Sequence, residues 1–425
     1  VFAEVDSGES SMRNVPCSAG LILAAGLVLS CATAQSVPDF QFRFTEKPGT
    51  YVVGFKVVNQ YDRSRAFHYP GGPKDNSAPA DGYRPLQTLV WYPAEASKAE
   101  KMTIGDYAAL ISTETSFDKP MQHGKSQSFV QDFTRGTTAL PAWALRNAPL
   151  HENRFPLVIY VPGLDAPAFE NLELCEYLAS QGFVVLATAS MGATERVMTA
   201  DIGGANAEAQ DISFLIDYAK SLPDTEISSV AVIGYSWGGM SALFAAARDK
   251  RIGAIVSLDG SFRYGPATVQ QAADVHPDQM KIPLLFFSRA EETLESWSAT
   301  HQDKDQFCVA PNVLSEWTHG DLYFFRMMAM SHIQFSSIFQ RSERFRKEGL
   351  RFVPADYSLE EGAETYNWVA RYTLEFLNVY LKHEAVAVAF LKRTADENGV
   401  PKHLIAASFR PASDQKVVGG VPSAK

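Results

Sequence analysis

Short, fully apolar runs alternate with helical stretches through the middle of this chain. Leu157-Val158-Ile159-Tyr160-Val161, Val184-Val185-Leu186-Ala187, Val230-Ala231-Val232-Ile233, Ala254-Ile255-Val256-Ser257-Leu258 and Leu284-Leu285-Phe286-Phe287 are dominated by β-branched, aliphatic and aromatic residues. Runs that short, apolar at consecutive positions, read as strands buried on both faces. Between them, 169–180, 205–221 and 238–248 read as helices, the second apolar at Ile212, Leu215, Ile216 and Ala219 and the third rich in Ala and Leu. Strand, helix, strand in that order predicts a parallel sheet covered on both sides. Two earlier strands are expected at Tyr51–Val58 and Leu86–Tyr92, and a closing helix at about 364–383 with Ala370, Leu374, Leu377 and Leu381 on one face.

Two long stretches break this rhythm. Residues 97–150, with a helical pattern around Tyr107–Ile111, and residues 290–330 both read as cap-like insertions. The tail from Lys392 reads as a surface excursion, and the charged run Arg341–Arg351 as a solvated helix face. The whole of 35–425 reads as one α/β domain carrying these insertions.

Composition narrows the function class. The chain has 425 residues, 46% hydrophobic and 20% charged, the profile of a globular protein with a large core. Its 38 basic and 48 acidic residues, net −10, argue against nucleic acid or an anionic membrane surface as partner. At the N-terminus, Met12-Arg13 precedes the apolar run Leu21–Leu29 and the A-x-A site Ala32-Thr33-Ala34, so 1–34 reads as an upstream extension plus a secretory signal peptide. That run is too short to span a bilayer, and no later stretch is a candidate span. A lipidated Cys31 is the second reading, with Leu29 an awkward residue for it. Cys175 falls on the apolar stripe Phe169, Leu172, Cys175, Leu178 and reads as a buried thiol; a pair with Cys308 is the alternative in an oxidising compartment.

The chemistry is concentrated at Gly234-Tyr235-Ser236-Trp237-Gly238, a G-x-S-x-G pattern between a buried strand and an Ala-rich helix. A serine on a turn that sharp is pushed out above the sheet, within reach of a base. A serine nucleophile needs that base, a group to orient it, and donors for the developing oxyanion. Asp259 follows the next strand, on the rim where sites of parallel sheets assemble; Glu291 and Glu292, one strand later, are the alternatives. Downstream histidines are His276, His301, His319, His332, His383 and His403. His332 precedes the C-terminal helices, where the catalytic loop belongs, and His319 is the runner-up. The amides of Trp237, after the nucleophile, and of Leu164, in Pro162-Gly163-Leu164-Asp165, are the expected oxyanion donors.

Several segments together resemble the platelet-activating-factor acetylhydrolase-like branch of the α/β-hydrolases. They are Pro156–Leu164, Tyr177–Val185, Gly234–Gly239, Leu258-Asp259-Gly260 and His332-Ile333-Gln334-Phe335, with the Gly54 strand and Val90-Trp91-Tyr92-Pro93. The resemblance covers roughly 50–96 and 155–385. It implies an α/β-hydrolase fold, favours Asp259 over the glutamates, points to His332 as the base, and matches Leu164 to the family's oxyanion residue. The family usually has His-Gly where this chain has Pro162-Gly163, and neither insertion matches it. Dienelactone hydrolases are similar in the core but use cysteine where this chain has Ser236.

The sequence therefore predicts a secreted or periplasmic serine hydrolase of carboxylic esters, working through an acyl-enzyme on a small-molecule or lipid-like substrate. An amidase or peptidase, an exported polyester or cutin hydrolase, and a non-catalytic binding scaffold are the alternatives. With no H-E-x-x-H, paired C-x-x-C or phosphate loop, no cofactor or metal is expected. One outcome follows from the N-terminal pattern. After expression in a bacterium with a periplasm, mass spectrometry should find Gln35 as the mature N-terminus; a lipid-modified peptide starting at Cys31 would point to the lipoprotein reading, and retention of 1–34 would contradict export.

Overall fold

A single sheet built from both ends of the chain organises the protein. The computed structural model describes residues 42–69, 82–117, 134, 136–290, 312–351, 353 and 356–413. Its strands are β1 (Val52–Phe67), β2 (Gly82–Ala94), β3 (Lys101–Thr103), β4 (Pro141–Arg146), β5 (Phe155–Val161), β6 (Val184–Ala187), β7 (Thr225–Tyr235), β8 (Ile252–Leu258), β9 (Leu284–Arg289), β10 (Leu322–Met327) and β11 (Ile405–Arg410). Among the described residues they form one 11-stranded sheet in the order β11-β10-β9-β8-β7-β5-β6-β2-β1-β4-β3. The six from β6 through β5, β7, β8 and β9 to β10 run parallel. β2 joins β6 antiparallel, β1 joins β2 antiparallel, and β11 closes the far edge antiparallel to β10.

The apolar alternation of the central strands explains why helices cover both faces. On β5, Val158 and Tyr160 point into one core while Leu157, Ile159 and Val161 point into the other. The first core is sealed by α1 (Leu172–Ser180) and α4 (Leu359–Tyr380), the second by α2 (Ile202–Ala219) and α3 (Trp237–Arg248). α4 starts at a capping box in which Ser358 and Glu361 satisfy each other's backbone N–H. α2 starts at Asp201, whose carboxylate accepts from the Gly204 N–H.

The described parts of both presumed insertions differ from expectation, while 118–133 and 291–311 lie outside the described residues. Within 97–150, β3, β4 and the helix Ile104–Ala109 extend and pack on the sheet rather than capping it; β4 pairs in parallel with β1 at Gly54 and Phe55. Within 290–330, Leu322–Met327 is a full parallel strand, in register from Leu322↔Leu284 to Met327↔Arg289. The tail is not a surface excursion, since Ile405–Arg410 pairs along the whole of β10. Cys175 is a buried free thiol, while Cys308, the candidate partner, lies outside the described residues. So does the signal segment. Among the described residues no helix is long and apolar enough to cross a membrane.

The interior also holds fully or nearly fully buried acids. Burial pushes Glu170 and Glu208 up to about 8 and Glu176 up to about 7, with hydrogen bonds only partly offsetting it. In the unfolded chain these groups ionise near the ordinary glutamate value of about 4.3. Between about pH 4.5 and 8 the folded state therefore binds more protons, so stability must fall as pH rises. The carboxylates whose values are lowered, such as Asp62, Asp217 and Asp249, act only below that window. Urea unfolding should show the protein less stable at pH 7.5 than at pH 5.5, by more than about 1 kcal/mol. Equal or greater stability at the higher pH would contradict the assignment of these buried acids as neutral.

Candidate functional site

Ser236 caps α3 with a left-handed backbone, φ 51° and ψ −118°. The packing around it leaves no room for side chains on its glycine neighbours. A Cβ on Gly234 would lie 2.4 Å from the Gly238 carbonyl oxygen, and one on Gly238 would lie 2.3 Å from that of Val161. One on Gly239 would lie 2.6 Å from the Gly260 Cα. β7 and α3 thus meet almost backbone to backbone, and the turn between them projects Ser236 at the carboxyl end of β7. Its carbonyl accepts from Gly239 N–H at 3.1 Å and Ser261 N–H at 2.8 Å, fixing it to the loop after β8.

That loop carries Asp259, also left-handed at φ 47°. Asp259 is completely buried, and its carboxylate accepts from the Tyr264 hydroxyl and from the Arg289 N–H at 3.2 Å. The Arg289 guanidinium stands 3.8 Å from Oδ2 and lies over the Tyr264 ring at 4.4 Å. Burial opposes ionisation of Asp259, but the Arg289 charge and the hydrogen bonds from His332 and Tyr264 outweigh it and hold the carboxyl well below the usual range. The site keeps its anion at every pH of interest.

His332 opens a single 3-10 turn, His332–Phe335, after β10. Its Nδ1 lies 2.6 Å from Asp259 Oδ2 and its Nε2 lies 2.8 Å from Ser236 Oγ. The turn is braced by Ser331 N–H donating to the Gln334 side chain at 2.7 Å. Tyr235, the variable residue before the serine, donates its hydroxyl to the His332 carbonyl at 3.1 Å and stacks on the imidazole with centroids 5.3 Å apart.

The structure thus brings Ser236, Asp259 and His332 together, with each spacing that of a hydrogen bond. It does not bring His319 near them. That residue precedes the amino end of β10, on the opposite rim of the sheet, 3.4 Å from the Ser413 hydroxyl. Glu291 and Glu292 lie outside the described residues. Trp237 follows the serine, and Leu164 follows Gly163 in the loop after β5. Among the described residues neither backbone N–H meets an acceptor, Trp237 being the first residue of a helix whose opening amides have no partner within it. Gly163 passes within van der Waals distance of Ser236, a Cβ there falling 3.4 Å from the serine's own. Sequence reasoning missed Tyr235, Tyr264 and Arg289, because nothing in their spacing distinguishes them from core or surface residues. Among the described residues no cluster of His, Cys, Asp and Glu could hold a metal ion.

A parallel sheet with the serine on the strand-to-helix turn after β7, an acid after β8 and a histidine after β10 decides the fold. It is an α/β-hydrolase fold. Residues 148–302 of the chain match the model of the dienelactone hydrolase family. The matched span includes Leu164, Ser236, Trp237 and Asp259; His332 lies beyond it and joins them through the tertiary structure. A ferulic acid esterase from Streptomyces cinnamoneus superposes with a TM-score of 0.57 at 19% identity, over 85% of this chain and 98% of that one. No curated protein matches the sequence. The central region is thus hydrolase-like in sequence as well as in fold.

Proposed function

We propose that the protein is an exported serine hydrolase that cleaves carboxylic esters of small or lipid-like molecules through an acyl-enzyme. The observation that carries this reading is the unbroken line from Ser236 Oγ through His332 Nε2 and Nδ1 to Asp259 Oδ2, with spacings of 2.8 and 2.6 Å. In this reading Ser236 Oγ attacks the ester carbonyl while His332 Nε2 takes its proton. The carbonyl oxygen becomes an oxyanion, received by the amides of Leu164 and Trp237, whose N–H groups have no acceptor among the described residues. The imidazolium then gives its proton to the departing alkoxide, leaving Ser236 acylated. Water, activated by the same imidazole, attacks the acyl carbonyl and releases the acid. Asp259 holds the ring in the tautomer that presents a bare Nε2 to the serine and stabilises the imidazolium between steps.

Ester cleavage is favoured over other acyl transfers by the names of the matched family and of the structural neighbour, a lactone hydrolase and an esterase. Export rests on the pattern at 12–34.

A fluorophosphonate probe should label the wild type once and leave Ser236→Ala unlabelled. Asp259→Asn, folded by circular dichroism, should lose at least about two orders of magnitude in kcat on a p-nitrophenyl ester. Glu291→Gln and Glu292→Gln should each change it less than about tenfold, or about 1.4 kcal/mol. Undiminished labelling of Ser236→Ala, or a glutamate variant that collapses while Asp259→Asn keeps working, would overturn the assignment. A peptide amide and a polyester film assayed alongside separate the amidase and polyester readings.

A further inference from the structure

One buried acid beside the site has no part in this proton path. Glu170 lies in the turn between β5 and α1 and is completely buried. Its Oε2 accepts from the backbone N–H of Gly163 at 2.8 Å and from the Tyr160 hydroxyl at 3.2 Å, and the Ser336 hydroxyl is the further polar group beside the carboxyl. Burying a carboxyl with so little compensation is unfavourable, and an apolar side chain would normally serve a core better. Burial pushes it up to about 8, so near neutral pH it is an uncharged acceptor rather than an anion.

What this acceptor holds is the amide immediately before Leu164. On the far side of Leu164, Asp165 is left-handed at φ 59°, and its carboxylate accepts from the Met198 N–H at 2.5 Å. Arg196 donates to the Asp165 carbonyl at 3.2 Å. Leu164 is therefore clamped on both sides. The next residue after Glu170 ties the same turn to the histidine. Asn171 donates to the Tyr160 hydroxyl at 2.7 Å and to the Phe335 carbonyl at 3.0 Å, and it accepts from the Ser337 N–H at 2.8 Å. A chain of hydrogen bonds runs from the Gly163 amide through Glu170, Tyr160 and Asn171 to the end of the His332 turn.

We propose that Glu170 is a positioning residue for the oxyanion loop: by capturing the Gly163 N–H it fixes the following peptide, leaving the Leu164 N–H for the substrate oxygen and keeping that loop in register with the His332 turn. The inference rests on the serine-hydrolase reading. It says that Glu170 acts on the transition state, where charge develops on the oxygen, and not on ground-state binding.

The test compares Glu170→Gln, which keeps an acceptor, with Glu170→Met, which fills the space without one, on a p-nitrophenyl ester. Glu170→Met should lose about 10- to 100-fold in kcat with KM changed less than about threefold, below the 10²–10³ typical of deleting an oxyanion donor outright. Its affinity for a boronic acid, which mimics the tetrahedral intermediate, should fall in parallel. Glu170→Gln should stay within about threefold of wild type in both. Full activity in Glu170→Met, or an equal loss in both variants, would overturn the proposal. A readout on the wild type covers the case in which Glu170→Met does not fold. In amide-resolved NMR, the Leu164 proton should move downfield on boronic acid binding while the Gly163 proton, committed to Glu170, does not; the reverse would also overturn it. Wild-type protein that neither turns over the ester nor takes a fluorophosphonate probe would instead sink the serine-hydrolase reading itself.

Discussion

The left-handed backbone of Ser236 is the constraint on which the site depends. A non-glycine residue at φ 51° is strained by on the order of 1 kcal/mol or more, and it persists only where the surroundings over-determine it. Here they do, because β7, α3 and the loops after β5 and β8 approach at glycines whose missing β-carbons leave no slack. Asp165 and Asp259, in those two loops, are left-handed as well, at φ 59° and 47°. Three strained residues gathered at the carboxyl ends of neighbouring strands mark that rim as a candidate functional edge. The scaffold beneath is densely packed, since β5, β8, β9 and the Val230–Tyr235 part of β7 are buried almost throughout.

Parts of this arrangement were legible in the sequence and parts were not, for physical reasons. The central strands announce themselves because burial on both faces demands consecutive apolar residues. Ser236 is visible because its glycines are obligatory, and Asp259 because it follows a strand whose apolar run is unmistakable. The edge strands hide. Ile405–Arg410 is largely exposed or half-buried along its length, so its residues need not be apolar. Pro141–Arg146 begins with a proline, which is tolerated at a strand's first position. Leu322–Met327 is apolar enough, but it follows a long irregular stretch that gave it no flanking rhythm. The supporting contacts hide more deeply. Tyr264 reaches Asp259 from the segment after β8 and Arg289 from the end of β9, and only the folded chain makes them neighbours.

The electrostatics divide the site's acids into two kinds. Asp259 is surrounded by Arg289, Tyr264 and His332, so burial fails to neutralise it. Glu170 has a backbone amide and the Tyr160 and Ser336 hydroxyls but no positive charge beside it, so burial prevails. The same carboxyl chemistry thus supplies a lasting anion behind the imidazole and a neutral hydrogen-bond acceptor behind the Gly163-Leu164 loop. The separation matters for the proposed reaction, because a second anion close to the developing oxyanion would oppose it.

The proposed reaction runs through one oxygen atom, Ser236 Oγ, and an acyl-enzyme formed there would be directly observable. Mixing the protein with a p-nitrophenyl ester, quenching in acid within one turnover and sequencing the peptides by mass spectrometry locates the acyl group. The account predicts a burst of nitrophenol accompanied by the acyl mass on Ser236 and on no other residue. Turnover without any acylated peptide, or an acyl group on a different side chain, would contradict it.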